Sequence, residues 1–265
     1  MDTLVEFEDV HFSYGDRPVL QGLSLRIPRG KVVGILGTSG SGKSTLLRLI
    51  GGQLRPDRGV VRFRGVDVHA QDSASLYRMR REMGLMFQAG GLFSDLNVAE
   101  NVAFAMREHT ALSDDLIRLL VDLKLQAVGL RGAAGLQTSE LSGGMARRVA
   151  LARAIAMDPP LAMYDEPFAG LDPISLNAVA NLIRQLNDAL GTTSIVVTYD
   201  VTESLKVADY LYLIADGKVV TEGTPSFLEQ SGDAYAAQFI HAAAEGPVPF
   251  HQPAPTLASD FGLRP

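Results

Sequence analysis

The chain has 265 residues, of which 46% are hydrophobic, and a formal net charge of −6 at pH 7. This length and composition suffice to bury one large core, while the acidic balance argues against a nucleic-acid-binding surface and predicts no nucleic-acid partner. The absence of cysteine excludes a disulfide framework and thiol chemistry, and it fits a reducing compartment.

Membrane-targeting signals are not evident in the sequence. No uncharged apolar run approaches the ~20 residues that a spanning helix needs, and the first residues lack the basic and apolar regions of a signal peptide. We therefore expect any membrane role to depend on a partner.

The first part of the chain alternates apolar and polar residues, which is typical of half-buried strands. Residues 4–12 predict one strand, and Leu20 to Ile27 predict a second strand in an antiparallel sheet. A further short strand, Val60 to Phe63, is expected after the turn at residues 56–59. An antiparallel β subdomain is therefore predicted near the N-terminus.

A glycine-rich stretch, residues 37–45 (the phosphate loop), follows an apolar run and precedes an apolar helical pattern. Strand, loop and helix are the context in which such a loop cradles a polyphosphate with inward-facing N–H groups and the positive end of the helix dipole. In that arrangement Lys43 reaches the β and γ phosphates of ATP, and the Ser44 hydroxyl ligates Mg²⁺. The candidate nucleotide-binding residues of this loop are Gly37, Ser39, Gly40, Ser41, Gly42, Lys43, Ser44 and Thr45.

The middle of the chain changes to helical periodicity, so we expect a helical subdomain inserted at about residues 89–157. Two apolar faces are predicted within it. The first contains Val98, Val102, Ala105 and Met106, and the second contains Leu116, Leu119, Leu120 and Leu123.

Buried strands then alternate with helices from Leu161 onward, which predicts an α/β fold with a mostly parallel sheet, as in P-loop NTPases. Asp165 and Glu166 close the apolar strand 161–164 and so lie at the edge where open α/β sheets bind ligands. Asp165 is expected to hold Mg²⁺, and Glu166 is expected to orient or deprotonate the attacking water. An acidic pair alone is often a solvated strand end, and the phosphate loop is what favours the catalytic interpretation.

The chain has a second loop with N–H donors at the start of a predicted helix, Leu141-Ser142-Gly143-Gly144 (the signature loop). That helix includes residues 147–154. Together with Asp165-Glu166-Pro167, the loop and its helix resemble the ATPase domain of ABC transporters over most of the chain. The resemblance implies that this signature loop faces the nucleotide of a second subunit. Two copies of the chain are then expected to pair head to tail around two ATP molecules.

The same resemblance implies roles for three further residues. Tyr14 matches the aromatic residue that stacks on adenine, or it is an ordinary strand-end aromatic. Gln88 matches the glutamine that senses Mg²⁺ and relays to the membrane subunit, or it is a polar strand terminus. Asp172 matches an aspartate that, in the family, lies between the two subunits.

One departure from the family pattern concerns catalysis. Tyr199 stands where the family has a switch histidine. A tyrosine with a pKa near ~10 stays a neutral hydroxyl, whereas a histidine near ~6.5 can carry charge beside the γ-phosphate. We therefore predict that ATP still binds and that hydrolysis is slower than is usual in the family.

The signature region also carries Met145 and Arg147 where glutamines are usual. With residues 49–54, 101–104 and 246–250, this pattern resembles the ATPase subunits of bacterial Mla phospholipid-trafficking systems, although Leu171 replaces a glutamine of that subfamily. The resemblance implies an integral-membrane permease, a small STAS-domain protein and, indirectly, a periplasmic Mce-type lipid-binding protein as partners. The expected location is the cytoplasmic face of the bacterial inner membrane.

The chain divides into an ATPase domain, residues 1–245, and a proline-rich extension, residues 246–265, that can be neither helix nor central strand. The extension is expected to pack on the second ATPase subunit, or else to be a floppy end. Two other functions stay open from the sequence. One is a non-transport switch that dimerises with ATP, which Tyr199 favours, and the other is the ATPase of another Mce-type lipid importer.

Overall fold

The computed structural model describes residues 2–88 and 90–248, within which there are ten strands and nine α-helices. The strands are β1 (Thr3–Tyr14), β2 (Arg17–Pro28), β3 (Val32–Leu36), β4 (Arg58–Phe63), β5 (Val66–Asp67), β6 (Met83–Met86), β7 (Leu161–Asp165), β8 (Thr193–Thr198), β9 (Tyr210–Ala215) and β10 (Lys218–Gly223). The helices are α1 (Lys43–Ile50), α2 (Ser73–Arg80), α3 (Val98–His109), α4 (Asp114–Ala127), α5 (Gly143–Ala154), α6 (Pro173–Leu190), α7 (Val201–Val207), α8 (Pro225–Glu229) and α9 (Ala234–Ile240).

The larger sheet has the strand order β10-β9-β3-β8-β7-β6 and is parallel except for β10 at its edge. All residues of β3 and β8 are buried, as expected for parallel strands whose two faces are both covered. The prediction of a mostly parallel α/β sheet is confirmed. Its parallel strands all end at one edge, which carries the phosphate loop and the Asp165–Glu166 pair.

The smaller sheet is antiparallel, with the order β2-β1-β4-β5, which confirms the N-terminal β subdomain. Its two long strands extend beyond the predicted ranges to Tyr14 at the end of β1 and Arg17 at the start of β2. The apolar face of this sheet shares one core with the larger sheet and with α1. The β1–β2 turn is thereby fixed beside the phosphate loop.

The helical subdomain consists of α3, α4 and α5, and one of its two predicted faces is wrong. Val98, Val102 and Met106 of α3 are buried as expected, with Ala103 rather than Ala105 completing the face. On α4 the predicted face of Leu116, Leu119, Leu120 and Leu123 is not the buried one, because Leu116, Leu119 and Leu123 are 41%, 56% and 57% exposed and Leu120 is only partly buried.

The buried face of α4 is instead formed by Ile117, Val121 and Leu125. The helix carries apolar residues on two adjacent sides, so its periodicity alone does not decide which side packs on α3 and α5. Lys124 is also buried in the packed side, where its ammonium group pairs with the Asp158 carboxylate.

The C-terminal part follows α9 as a non-helical segment up to Val248. The Gln238 side chain holds it by accepting from the Val248 N–H (2.7 Å) and donating to the Val248 carbonyl (3.0 Å). The rest of the predicted extension, residues 249–265, lies outside the described residues. In the described part of the chain, no helix has the length and apolar character to cross a membrane.

Candidate functional site

The phosphate loop connects β3 to α1, which begins at Lys43, so the predicted strand, loop and helix are confirmed. Gly40 and Gly42 have φ values of +82° and +98°, a backbone region that favours glycine. A Cβ atom at Gly37 would lie 2.4 Å from the Ile214 carbonyl oxygen. Gly37 therefore lets the loop pack against the end of β9, and Gly40 and Gly42 provide the backbone angles of its turn.

Lys43 is buried at the centre of the site. Its ammonium group donates to the carbonyls of Gly37 (2.9 Å) and Thr38 (3.0 Å) and lies 3.5 Å from Glu166 Oε1. Burial lowers the pKa of Lys43, and the nearby Glu166 carboxylate opposes that shift. The loop thus holds a cation at the point where the terminal phosphates of a nucleotide would lie.

Asp165 and Glu166 lie at the carboxyl edge of the sheet, beside Lys43 and Ser44. Asp165 ends β7 and accepts a hydrogen bond of 2.9 Å from the Ser44 hydroxyl, while Glu166 follows with a φ of +46°. Burial raises the pKa of both carboxyls, an effect opposed at Asp165 by the Ser44 hydroxyl and at Glu166 by Lys43. A buried carboxylate with a raised pKa is suited to accept a proton near neutral pH.

Tyr199 follows β8 and faces the same cleft, with its side chain 52% exposed. Its backbone N–H donates to Glu166 Oε2 at 3.3 Å. The main chain at this position therefore holds the Glu166 carboxylate, and the phenol ring remains free to face a ligand.

The other predicted ligand-binding side chains lie around the rim of the cleft. Tyr14 is exposed, packs edge-on against Phe12 with ring centres 4.9 Å apart, and has its hydroxyl 3.5 Å from Thr45 Oγ1. Gln88 was expected at the end of a strand, but β6 ends at Met86 and Gln88 lies in the following loop, exposed to the cleft.

The cleft has a volume of about 450 Å³. It is lined by Tyr14, Arg17, Val19, Ser39, Gly40, Gly42, Lys43, Ser44, Thr45, Gln88, Glu166 and Tyr199. Arg17 was not singled out from the sequence, because a cation at the start of a strand carries no motif; only the fold brings its guanidinium to the phosphate loop.

The chemistry of the cleft fits a nucleotide with Mg²⁺. The Ser41 hydroxyl of the phosphate loop is buried and has no hydrogen-bond partner within residues 2–88 and 90–248, so it is available to a phosphate oxygen. The Ser44 hydroxyl and the Asp165 carboxylate are adjacent, and such oxygen ligands suit Mg²⁺.

The signature loop lies outside this cleft, and part of it is exposed to solvent. Ser142 caps α5 by accepting from the Met145 N–H at 3.3 Å, and both Ser142 and Gly143 are exposed. A Cβ atom at Gly144 would lie 2.6 Å from Ser175 Oγ, so this loop packs directly on the start of α6.

Asp172 caps α6 beside the signature loop. Its Oδ1 accepts from the N–H groups of Ile174 and Ser175, both at 3.0 Å, and hydrogen bonds led by that from the Ser175 side chain lower the pKa of Asp172. The next apolar side chain, Ile174, is 84% exposed. Asp172 and the signature loop therefore form one solvent-facing surface that is separate from the cleft.

Known proteins of one family match most of this chain. The family model described as "ABC transporter" matches residues 20–169. The intermembrane phospholipid transport system ATP-binding protein MlaF of Haemophilus influenzae is 53% identical over 251 residues, 95% of each chain, and that of Escherichia coli K12 is 50% identical over 258 residues, 97% of this chain and 96% of the other. A solved dimeric structure of an ATP-binding cassette in a post-hydrolysis state, bound to ADP and Pi, aligns with a TM-score of 0.76 and 31% identity over 84% of this chain and 99% of that chain.

Proposed function

This chain belongs to the ABC transporter family of ATPases, and from that premise we propose that it hydrolyses MgATP to drive phospholipid transport between bacterial membranes. The observation that carries the proposal is the pairing of Lys43 with Glu166 and of Ser44 with Asp165 across one cleft. The choice of phospholipid is supported by the names of relatives that match almost the whole chain.

In the proposed mechanism the cleft first orients ATP. Tyr14 stacks on the adenine ring, the N–H groups of the phosphate loop surround the phosphates, and Lys43 binds the terminal phosphates as a point charge. The unpartnered Ser41 hydroxyl donates to a phosphate oxygen. Mg²⁺, held by Ser44, Asp165 and Gln88, would neutralise charge on the phosphates when bound.

Glu166 then acts on the attacking water. Its carboxylate orients the water and accepts a proton from it as the water oxygen bonds to the γ-phosphorus. The bond between the γ-phosphorus and the ADP oxygen breaks, which releases phosphate and ADP. The Tyr199 N–H fixes the carboxylate for this step. The Tyr199 hydroxyl supplies one neutral hydrogen bond where an imidazolium would supply charge, so hydrolysis is slow.

The catalytic unit is a head-to-tail homodimer. The signature loop and Asp172 do not line the cleft of their own chain, and they form an exposed surface instead. In the dimer this surface covers the ATP of the partner chain, so that Ser142, Gly143 and Gly144 contact its phosphates. The dimeric form of a related cassette with ADP and Pi supports this arrangement.

Membrane partners complete the proposed assembly. A groove of about 370 Å³ between the core and the helical subdomain carries three exposed aromatic side chains, Tyr77, Phe93 and Phe104, which suit an apolar helix of an integral-membrane permease. A small STAS-domain protein and, through the permease, a periplasmic Mce-type lipid-binding protein belong to the same proposal. The assembly lies on the cytoplasmic face of the inner membrane.

The test is purification of the full chain from its native membranes in mild detergent, identification of co-purifying proteins by mass spectrometry, and assay of MgATP hydrolysis. We expect a multi-spanning permease and a small STAS-domain protein, with hydrolysis abolished by Glu166→Gln and retained by Glu108→Gln, an exposed carboxylate on α3 outside the cleft. Full activity in Glu166→Gln would refute the catalytic role of Glu166.

A second candidate function is a non-transport switch, and Tyr199 in place of a histidine is the observation that favours it. Recovery of the chain only from the soluble fraction, as an ATP-dependent dimer without membrane partners, would contradict the transport proposal and support the switch.

A further inference from the structure

Arg147 lies on α5, five residues after the Ser142 cap, and departs from the pattern usual for the signature region. At 1.5 Å per residue, it is about 7.5 Å along the helix from the signature loop. Its side chain is half-buried and is not part of the cleft lining. The proposed function leaves this residue without a role, so its contacts need an explanation.

The Arg147 guanidinium bridges two loops that follow neighbouring strands of the large sheet. One amino group donates to the backbone carbonyl of Gln88, in the loop after β6. The other donates to the carbonyl of Ala169 at 3.2 Å, in the turn after β7. The planar fork of a guanidinium lets one side chain serve two acceptors at once.

Both bridged loops carry proposed catalytic groups. Gln88 is itself one of the proposed Mg²⁺ ligands, and Ala169 lies between Glu166 and Asp172 in a turn closed by the hydrogen bond from the Ala169 N–H to the Glu166 carbonyl (3.3 Å). Burial of the guanidinium lowers the pKa of Arg147. Arg147 therefore contacts the loops that carry the site residues without lining the cleft itself.

A second arginine of α5 supports the same arrangement. Arg153 donates to the Gly91 carbonyl at 2.6 Å and lies over the Phe93 ring, 5.0 Å from its centre. The loop after β6 is thus attached to α5 at two points, so that displacement of α5 would displace Gln88 with it.

We propose that Arg147 is a positioning residue that couples the two ATP sites of the dimer. This inference rests on the proposed head-to-tail dimer, in which the signature loop at the start of α5 touches the partner's ATP. Arg147 ties that same helix to the loops of Gln88 and Glu166, which act on the ATP of their own chain. Engagement of one nucleotide therefore adjusts the catalytic groups around the other.

The test compares Arg147→Gln with the wild-type chain in the assembly purified from membranes. We expect a wild-type Hill coefficient above 1 for MgATP hydrolysis. In the variant we expect the Hill coefficient to fall to about 1 and kcat to fall about tenfold, as the loss of charged hydrogen bonds to two loops implies. The Kd of a fluorescent, non-hydrolysable ATP analogue should stay within about twofold, because Arg147 does not line the cleft.

Arg147→Lys separates charge from bridging, because an ammonium group keeps the charge but lacks the fork that joins two carbonyls. It should behave like the glutamine variant, and it also provides the measurement if Arg147→Gln does not fold. The matched control is Arg148→Gln, which loses a guanidinium contact to the Val128 carbonyl (3.2 Å) within the helical subdomain. This control should keep the wild-type Hill coefficient.

Several results would overturn the coupling role. These are a wild-type Hill coefficient of 1, wild-type kinetics in Arg147→Lys, or an equal loss of cooperativity in Arg148→Gln. A parallel loss of affinity for the ATP analogue would make Arg147 a binding residue instead. Failure of the proposed function is distinguishable, since it would appear as a wild-type assembly that does not hydrolyse MgATP.

Discussion

The phosphate loop and the signature loop both present N–H groups at the start of a helix, but only the phosphate loop is surrounded by its functional partners within one chain. Lys43 is buried against two carbonyls and Glu166, and Ser44 contacts Asp165. Ser142, by contrast, caps its own helix and is exposed, beside an equally exposed Asp172 turn.

This difference indicates how the proposed catalytic unit is divided between two chains. The phosphate loop is preorganised by its fold, because glycines with positive φ and the ends of β3, β7 and β9 fix its geometry before a ligand arrives. The signature loop packs on the start of α6 and lies outside the cleft of its own chain. Variants of the two loops should therefore fail in different ways, and the following experiments use that distinction.

The largest effect is expected for Lys43→Ala. Removing the buried ammonium group eliminates the charged contact to the terminal phosphates, so kcat/KM for MgATP should fall about 10²–10³-fold. Affinity for the ATP analogue should fall as well, because the proposed nucleotide site at this loop is formed within one chain. Lys206→Ala, which removes a surface lysine paired with Glu203 on α7, is the control and should keep both values.

Ser142→Arg should separate binding from hydrolysis. A long cation in the signature loop prevents close approach to the partner's nucleotide, so kcat should fall by a factor on the order of 10², while the isolated chain binds the ATP analogue normally. Ser113→Arg is the matched control, because Ser113 caps α4 in the same way and its loss should cost only about 1 kcal/mol of stability. Weakened analogue binding by Ser142→Arg would break the distinction between the loops.

Tyr199→His should raise the rate by a smaller factor, about tenfold, because an imidazole can carry charge where the phenol cannot. The steady-state MgATPase rate at neutral pH is the measurement, and a rate equal to or below that of the native chain would refute the prediction. Tyr199→Phe removes only the hydroxyl and should lower the rate, which isolates the hydrogen bond of the phenol.

The smallest effect is expected in the pH at which kcat falls. Because burial raises the pKa of Glu166 above its usual 4.5, the carboxyl stays protonated to a higher pH than an exposed glutamate. Activity should therefore be lost as pH falls through this raised pKa and be fully present above it. If the fall in kcat on the acid side of the profile had its midpoint at or below pH 4.5, the role of the buried carboxylate as base would be contradicted.

Local patterns in the sequence predict the positions of the phosphate loop and of the Asp165–Glu166 pair well. The loop's glycines, Lys43 and Ser44 are adjacent in the chain, and the apolar run of β3 fixes where the loop begins. Asp165 and Glu166 were placed at the sheet edge for the same reason, since a fully apolar strand precedes them. Here each inference needs only a few consecutive residues.

Features that depend on distant parts of the chain were missed or wrong. The buried face of α4 is decided by packing against α3 and α5, and both of its sides are apolar, so Leu119 and Leu123 were assigned to the wrong environment. Arg17 reaches the cleft only because β1 and β2 pair beside the phosphate loop. The bridge from Arg147 to Gln88 and Ala169 joins three separate segments, and no spacing in the sequence signals it.

Complementation between two inactive variants tests the division of the site between chains most directly. Lys43→Ala and Ser142→Arg chains are mixed, allowed to exchange subunits, and assayed for MgATP hydrolysis. A mixed head-to-tail dimer has one intact site, made of Lys43 from one chain and Ser142 from the other, so activity should return, up to about a quarter of the wild-type rate if half of the dimers are mixed. A mixture as inactive as either variant alone, with subunit exchange demonstrated, would contradict the shared site.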